Sequence, residues 1–156
     1  MNKEITVVLP VEIKNREFDS RLLLAYHLIK EGYKVIIGDR SGCSREINFI
    51  PNCIYLAKSL AYSQSGLFKK IKHNNGRIFI LCEEGGYVGR EKHKFSEIKS
   101  FYPKKMLHFV DSVFVYGKSF QNLLVENFPE FNSKNTYIIG NSRFDLHKPK
   151  YLRYYS

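Results

Sequence analysis

Short apolar runs alternate with longer amphipathic stretches along this chain, and the alternation predicts its elements. Ile5 to Val11 is a mostly apolar run of strand length, of the kind buried on both faces of a parallel sheet. Asn15 is placed to cap the next segment, and Glu17 and Asp19 put negative charge into its first turns. Phe18, Leu22, Tyr26 and Ile29 then recur at helical spacing, with Leu23 and Ala25 widening the stripe, which predicts a helix that lays this face on a core. Lys30 and Gly32 are stop signals, and Tyr33 to Ile37, closed by Gly38-Asp39, reads as a second strand. A β-α-β opening of this kind implies a parallel pair joined by a right-handed crossover.

The alternation continues. Ser41 to Phe49 reads as a short helix, Cys53 to Leu56 as a third strand, and Ser63 to Asn74 as a basic surface helix broken by Gly76. Arg77 to Cys82 is the clearest later strand. Glu83 to Lys94, with Gly85, Gly86 and Gly89, reads as a functional loop. Pro103 fits the first turn of a helix running to about Val110, and Ser112 to Tyr116 is another strand. Ser119 is a candidate N-cap for a helix through Leu123, Leu124 and Phe128, which Pro129 ends. Tyr137 to Ile139 is the last strand, opening at Gly140-Asn141 into a turn that delivers Arg143, Phe144 and Asp145. The pattern predicts an α/β protein: one domain, residues 1–146, with a mostly parallel, doubly wound sheet flanked by helices. Residues 147–156 read as a tail or the start of a linker.

Composition narrows the setting. A chain of 156 residues buries about two-thirds of its unfolded surface, and a hydrophobic fraction of 44% supplies a core without disulfides. Cys43, Cys53 and Cys82 are odd in number and lack C-x-x-C spacing, so free thiols in a reducing cytoplasm are expected. No signal-like apolar segment precedes Ile5, and no apolar stretch approaches the roughly 18 residues of a membrane span. The formal net charge of +10 favours anionic partners: phosphorylated substrates, nucleic acid, or the acidic inner face of the cytoplasmic membrane as a peripheral contact. The basic residues are dispersed rather than striped, and the aromatics sit inside apolar runs, which argues against nucleic acid. His27, His73, His93, His108 and His147 show no metal-ligand spacing, so no metal site is expected. His27 reads as a partly buried packing residue of the first helix. No cofactor is expected either: Gly85-Gly86-x-x-Gly89 is not G-x-G-x-x-G, and no Walker motif occurs.

Three strand ends carry polar clusters, and a parallel sheet brings all three to one edge. The first holds Glu12 and Arg16, the second Glu83, Glu84 and Gly85, the third Asn141, Arg143 and Asp145. Carboxylates accept hydroxyl protons or act as a general base, and arginine pairs with phosphate bidentately, so the set suits a sugar or phosphate substrate. Successive residues leaving a strand point to opposite sides, so one of Glu83 and Glu84 is expected to face the cleft. Plain alternatives stand beside this reading. One glutamate could cap a turn while the other pairs with Arg90 or Lys92, Arg143 and Asp145 could pair with each other, and Glu12 and Arg16 could form an i,i+4 pair.

Leu9-Pro10-Val11-Glu12-Ile13-Lys14-x-Arg16-Glu17-x-Asp19-x-x-Leu22-Leu23-Leu24-Ala25 resembles the start of bacterial surface carbohydrate biosynthesis proteins. Glu83-Glu84-Gly85 and Gly140-Asn141-Ser142-Arg143-Phe144-Asp145-Leu146 are similar to two further motifs of that family, in the same order. The resemblance implies a single Rossmann-like domain like the N-terminal domain of GT-B glycosyltransferases, acting in capsule or lipopolysaccharide assembly. It implies Glu84 or Glu83 as base or acceptor-binding carboxylate. Glu12, Arg16, Gly85, Asn141, Arg143 and Asp145 then contact substrate. A glycan or lipid-linked acceptor is expected here, while the nucleotide-sugar donor falls to a second, C-terminal domain that this chain lacks. Where the family motif has proline, this chain has Ser142. The competing expectation is a non-catalytic, stand-alone glycan- or partner-binding module from a truncated gene, and a homo-oligomer could rebuild a two-domain cleft.

Overall fold

In the computed structural model, which describes residues 5–83, 98 and 101–151, the strands form one parallel sheet. They are β1 (Thr6–Val11), β2 (Lys34–Asp39), β3 (Ile54–Ala57), β4 (Arg77–Leu81), β5 (Ser112–Val115) and β6 (Thr136–Ile138). Their spatial order is β2-β1-β3-β4-β5-β6, and every neighbouring pair is parallel. Between them run α1 (Lys14–Lys30), α2 (Arg40–Glu46), α3 (Ser65–His73), α4 (Lys104–Leu107) and α5 (Lys118–Asn127). Short 3-10 turns occupy Ile47–Phe49, Tyr62–Gln64 and Ser142–His147.

Topology dictates which helix covers which face. From β1 to β2 the chain steps toward one edge of the sheet, whereas the later connections all step the other way. Right-handed crossovers therefore put α1 on one face and the later helices on the opposite one. The core divides accordingly. Cys43 and Ile47, Phe68 and Ile71, Met106 and Leu107, and Phe120 and Leu124 pack on Val8, Tyr55, Ile78, Ile80, Val113 and Val115. On the other face Ala25 of α1 meets Val7, Leu9, Leu56 and Leu81. Burial from both sides is why β1 reads as a continuous apolar run.

Three helix starts differ from the sequence reading. Asn15 lies inside α1, whose N-cap is Ile13 in extended backbone with no side-chain cap. Glu17 serves instead, its carboxylate accepting the backbone N–H of Glu12 at 2.8 Å and of Ile13 at 3.4 Å. Gly117, not Ser119, caps α5, and Pro103 precedes α4 rather than lying in it, with that helix ending at Leu107. α3 ends at His73, three residues before Gly76, and Asn75 in left-handed backbone (φ 57°) turns the chain; Gly76 is instead where the backbone passes closely, since a Cβ there would lie 2.6 Å from Ile71 Cγ2 and 2.9 Å from the Ile71 carbonyl oxygen.

The largest correction concerns the face of α1. Glu17, Ser20, Arg21 and Ala25 are its buried residues, while Leu22, Tyr26 and Ile29 are 42%, 55% and 60% exposed. Leu22, Tyr26 and Ile29 of the predicted core stripe thus lie on the outer face, and Ala25 at its margin does reach the core. Two helical periodicities coexist in this sequence, and the charged one wins because each of its charges finds a partner at the sheet edge.

Candidate functional site at the carboxyl edge of the sheet

Glu83 stands two residues beyond β4, and two separate segments, α1 and the turn after β6, close on it. Arg21 of α1 grips its carboxylate with both guanidinium nitrogens, Nη1 to Oε1 at 3.0 Å and Nη2 to Oε2 at 3.1 Å, with both side chains essentially sealed from solvent. Ser142 Oγ donates to the same Oε1 at 2.6 Å. Asn141 Nδ2 donates to the Glu83 carbonyl at 3.3 Å, and Arg143 Nη2 donates to that carbonyl as well. Positive φ at Gly140 (80°) turns the chain after β6, and Asn141 then caps the 3-10 turn by accepting the Arg143 N–H at 3.1 Å. Arg21 Nε is buried without a hydrogen-bond partner among the described residues, because the fork of this guanidinium is spent on Glu83.

A second cluster lies where the connections diverge. β1 and β3 are neighbours whose outgoing connections run in opposite directions, which makes their carboxyl ends the topological switch point of the sheet. Glu12 follows β1, Arg40 follows β2 and Lys58 follows β3. Glu12 Oε1 accepts from Arg40 Nη1 at 2.9 Å, and Glu12 Oε2 lies 3.7 Å from Lys58 Nζ, so one carboxylate bridges three adjacent strand ends. Beneath it, buried Glu17 accepts from Lys58 Nζ at 3.0 Å and from Arg16 Nη2 at 3.2 Å. Burial acts to raise the Glu17 pKa, yet the Glu12 N–H, Lys58 and Arg16 together bring it from 4.5 down to about 2. It is therefore a permanent anion that anchors Lys58. Glu12 and Arg40 remain partly exposed above it and can meet a ligand.

The segment after β6 folds back on α1. Asp145 pairs with Lys148 at 2.7 Å, the partner that the sequence reading had not offered it. His27 is exposed on α1, not packed, and its Nε2 lies 2.8 Å from Tyr151 Oη. A cavity of about 200 Å³ runs between the two elements, with Ser20, His27, Ser142, Asp145 and Tyr151 among its walls.

The sequence-derived residues thus gather as follows. Glu83, Asn141 and Arg143 meet directly, Glu12 and Arg16 join through Glu17 and Lys58, and Asp145 stands on the neighbouring turn. Glu84 and Gly85, with Arg90 and Lys92, lie outside the described residues. Arg21, Arg40 and Lys58 were missed. Arg21 had a signal, since it follows Glu17 by one helical turn on a face that the apolar stripe avoids. Arg40 and Lys58 each sit just after a predicted strand, where a ligand edge begins.

An all-parallel, doubly wound sheet with a polar cluster at its carboxyl edge defines a Rossmann-like α/β domain. Neither a protein-family model nor a curated protein matches the sequence.

Proposed function

We propose that this chain is the acceptor-side domain of a glycosyltransferase that works in bacterial surface-polysaccharide assembly. The observation that carries this reading is the closure of α1 and the turn after β6 on Glu83, beside a switch-point crevice edged by Glu12, Arg40 and Lys58. Arg40 and Lys58 supply cations for the phosphate of a glycosyl-phosphate acceptor, and Glu12 accepts its hydroxyl protons. Glu83 is a positioning residue: its carboxylate is buried and already bonded at both oxygens. The base role falls to Glu84, and donor binding to a second domain supplied with this one.

One observation favours a binding module without catalysis. The described carboxylates Glu12, Glu17, Glu83 and Asp145 are all ion-paired, which leaves no free base among these four. Transfer of labelled sugar from nucleotide sugars to a lipid-linked acceptor, by the enzyme with both domains, separates the two. The transferase reading expects Glu84→Gln to abolish transfer with unchanged acceptor affinity. Full activity in that variant refutes the base assignment, and acceptor binding without any transfer supports the module.

A further inference from the structure

A cavity of about 670 Å³ lies at the opposite, amino edge of the sheet, between the beginnings of β1, β3 and β4 and residues 49–52. That volume falls in the range of small-molecule sites. Ile36, Ile50, Ile54 and Phe49 give it an apolar lining, and the Phe49 ring is 80% exposed. An aromatic ring left open to water beside isoleucines is a surface on which a flat apolar body can lie.

The polar part of the lining is more selective. Arg77 is the one charged residue in the wall, and among the described residues its guanidinium has neither an ion pair nor a hydrogen bond. Asn52 and Asn75 stand two residues ahead of β3 and β4, and no described group bonds their side-chain amides. Both lie in left-handed backbone, at φ 55° and 57°, a conformation asparagine tolerates, so the turns into the two strands set them at the same rim. One fork of donors without a carboxylate beside it matches one planar negative group. A phosphate monoester carries nearly two charges at neutral pH, which a single guanidinium matches less well. The two amides add donors and acceptors around that group. We infer that this amino-edge cavity is a binding site for a small aromatic carboxylate, its ring on Phe49 and the isoleucines and its carboxylate on Arg77. Glycosyl phosphates gain nothing from the apolar lining and are not expected here. The inference is therefore independent of the transferase reading, which concerns the opposite edge.

NMR titration of the isotopically labelled full chain tests it with three probes: phenylpropionate, phenylpropanol (the same ring without the charge) and acetate (the charge without the ring). Phenylpropionate is expected to give saturable shifts at the backbone amides of Asn52, Ile54, Asn75 and Arg77, with a Kd on the order of a millimolar or tighter. Phenylpropanol should bind about tenfold more weakly, and acetate should leave these amides unmoved. Arg77→Gln is expected to reduce phenylpropionate to the level of phenylpropanol, and Phe49→Ala to weaken both. Both side chains are exposed, so the Tm of each variant should match the wild type. Absence of saturable shifts with phenylpropionate overturns the inference. So does equal binding of phenylpropanol, or phenylpropionate binding unchanged in Arg77→Gln. Shifts at the same amides on raising protein concentration without any probe mark a second copy on this face, and these overturn it as well.

Discussion

Arg21 and Glu83 form a buried ion pair, and the two partners are worth little apart. Removing one leaves an uncompensated charge in the interior, which costs about 3–5 kcal/mol, whereas replacing both with apolar side chains of similar volume is close to neutral. Glu83→Ala is therefore expected to lower the free energy of unfolding by that amount in urea melts, and Arg21→Met with Glu83→Leu to recover much of it. Ser142 adds a hydroxyl bond to the same carboxylate at 2.6 Å. Ser142→Ala should cost about 1–3 kcal/mol, the range for a hydrogen bond to a charged acceptor, in the same melts. Glu17 sets a pH dependence. Its folded pKa of about 2 lies below the ordinary 4.5, so its bonds stabilise the fold above about pH 4.5 and the benefit fades as pH falls toward 2. Integrated over that shift the effect is about 3 kcal/mol. Comparing acid unfolding of the wild type with Glu17→Gln checks the sign: the gap in stability should be widest near neutrality and shrink between pH 4.5 and 2.

Among the elements, strands were the easier to read. β1 emerges as an apolar run because it is buried on both faces, and β4 and β5 are apolar after their first residue, whereas edge strand β2 is half-exposed and is read from Val35-Ile36-Ile37 between Lys34 and Gly38-Asp39. Helix α1 was legible as a helix but not in its orientation. Hydrophobic periodicity assigns the core face to the apolar stripe, and here the inner face instead carries Glu17 and Arg21, whose partners Lys58 and Glu83 lie far away in sequence. Nothing local announces such a pairing. The same limit explains the site: the strand-end motifs foretold Glu83, Asn141 and Arg143 at one edge, but Arg40 and Lys58 joined them only through the order of strands. At the turn between α3 and β4 the glycine marks a close approach of backbone rather than the helix end, which Asn75 makes. A Cβ at Gly76 meets the Ile71 backbone, so Gly76→Ala is expected to cost about 1–3 kcal/mol by overpacking, seen as a lowered Tm.

Across the whole molecule, polar chemistry concentrates at the carboxyl edge of the sheet, whereas exposed apolar side chains are spread over α1, Phe49, Tyr62, the β6 segment and Phe144. The carboxyl edge holds two bonded clusters, Glu12, Glu17, Arg40 and Lys58 in one and Arg21, Glu83 and Arg143 in the other, while the large core beneath α2, α3 and α5 holds the sheet that positions them. Among the described residues no helix is long and apolar enough to cross a membrane. The proposed acceptor site is the switch-point crevice at the carboxyl edge. Binding of the acceptor at this edge is checked by NMR titration of the isotopically labelled chain with a glycosyl phosphate. Saturable shifts at millimolar ligand are expected for the backbone amides of Glu12, Arg40 and Lys58, lost in Arg40→Ala, with Asn52 and Asn75 at the opposite edge unmoved. Shifts absent at that concentration, or centred on Asn52 and Asn75, contradict it.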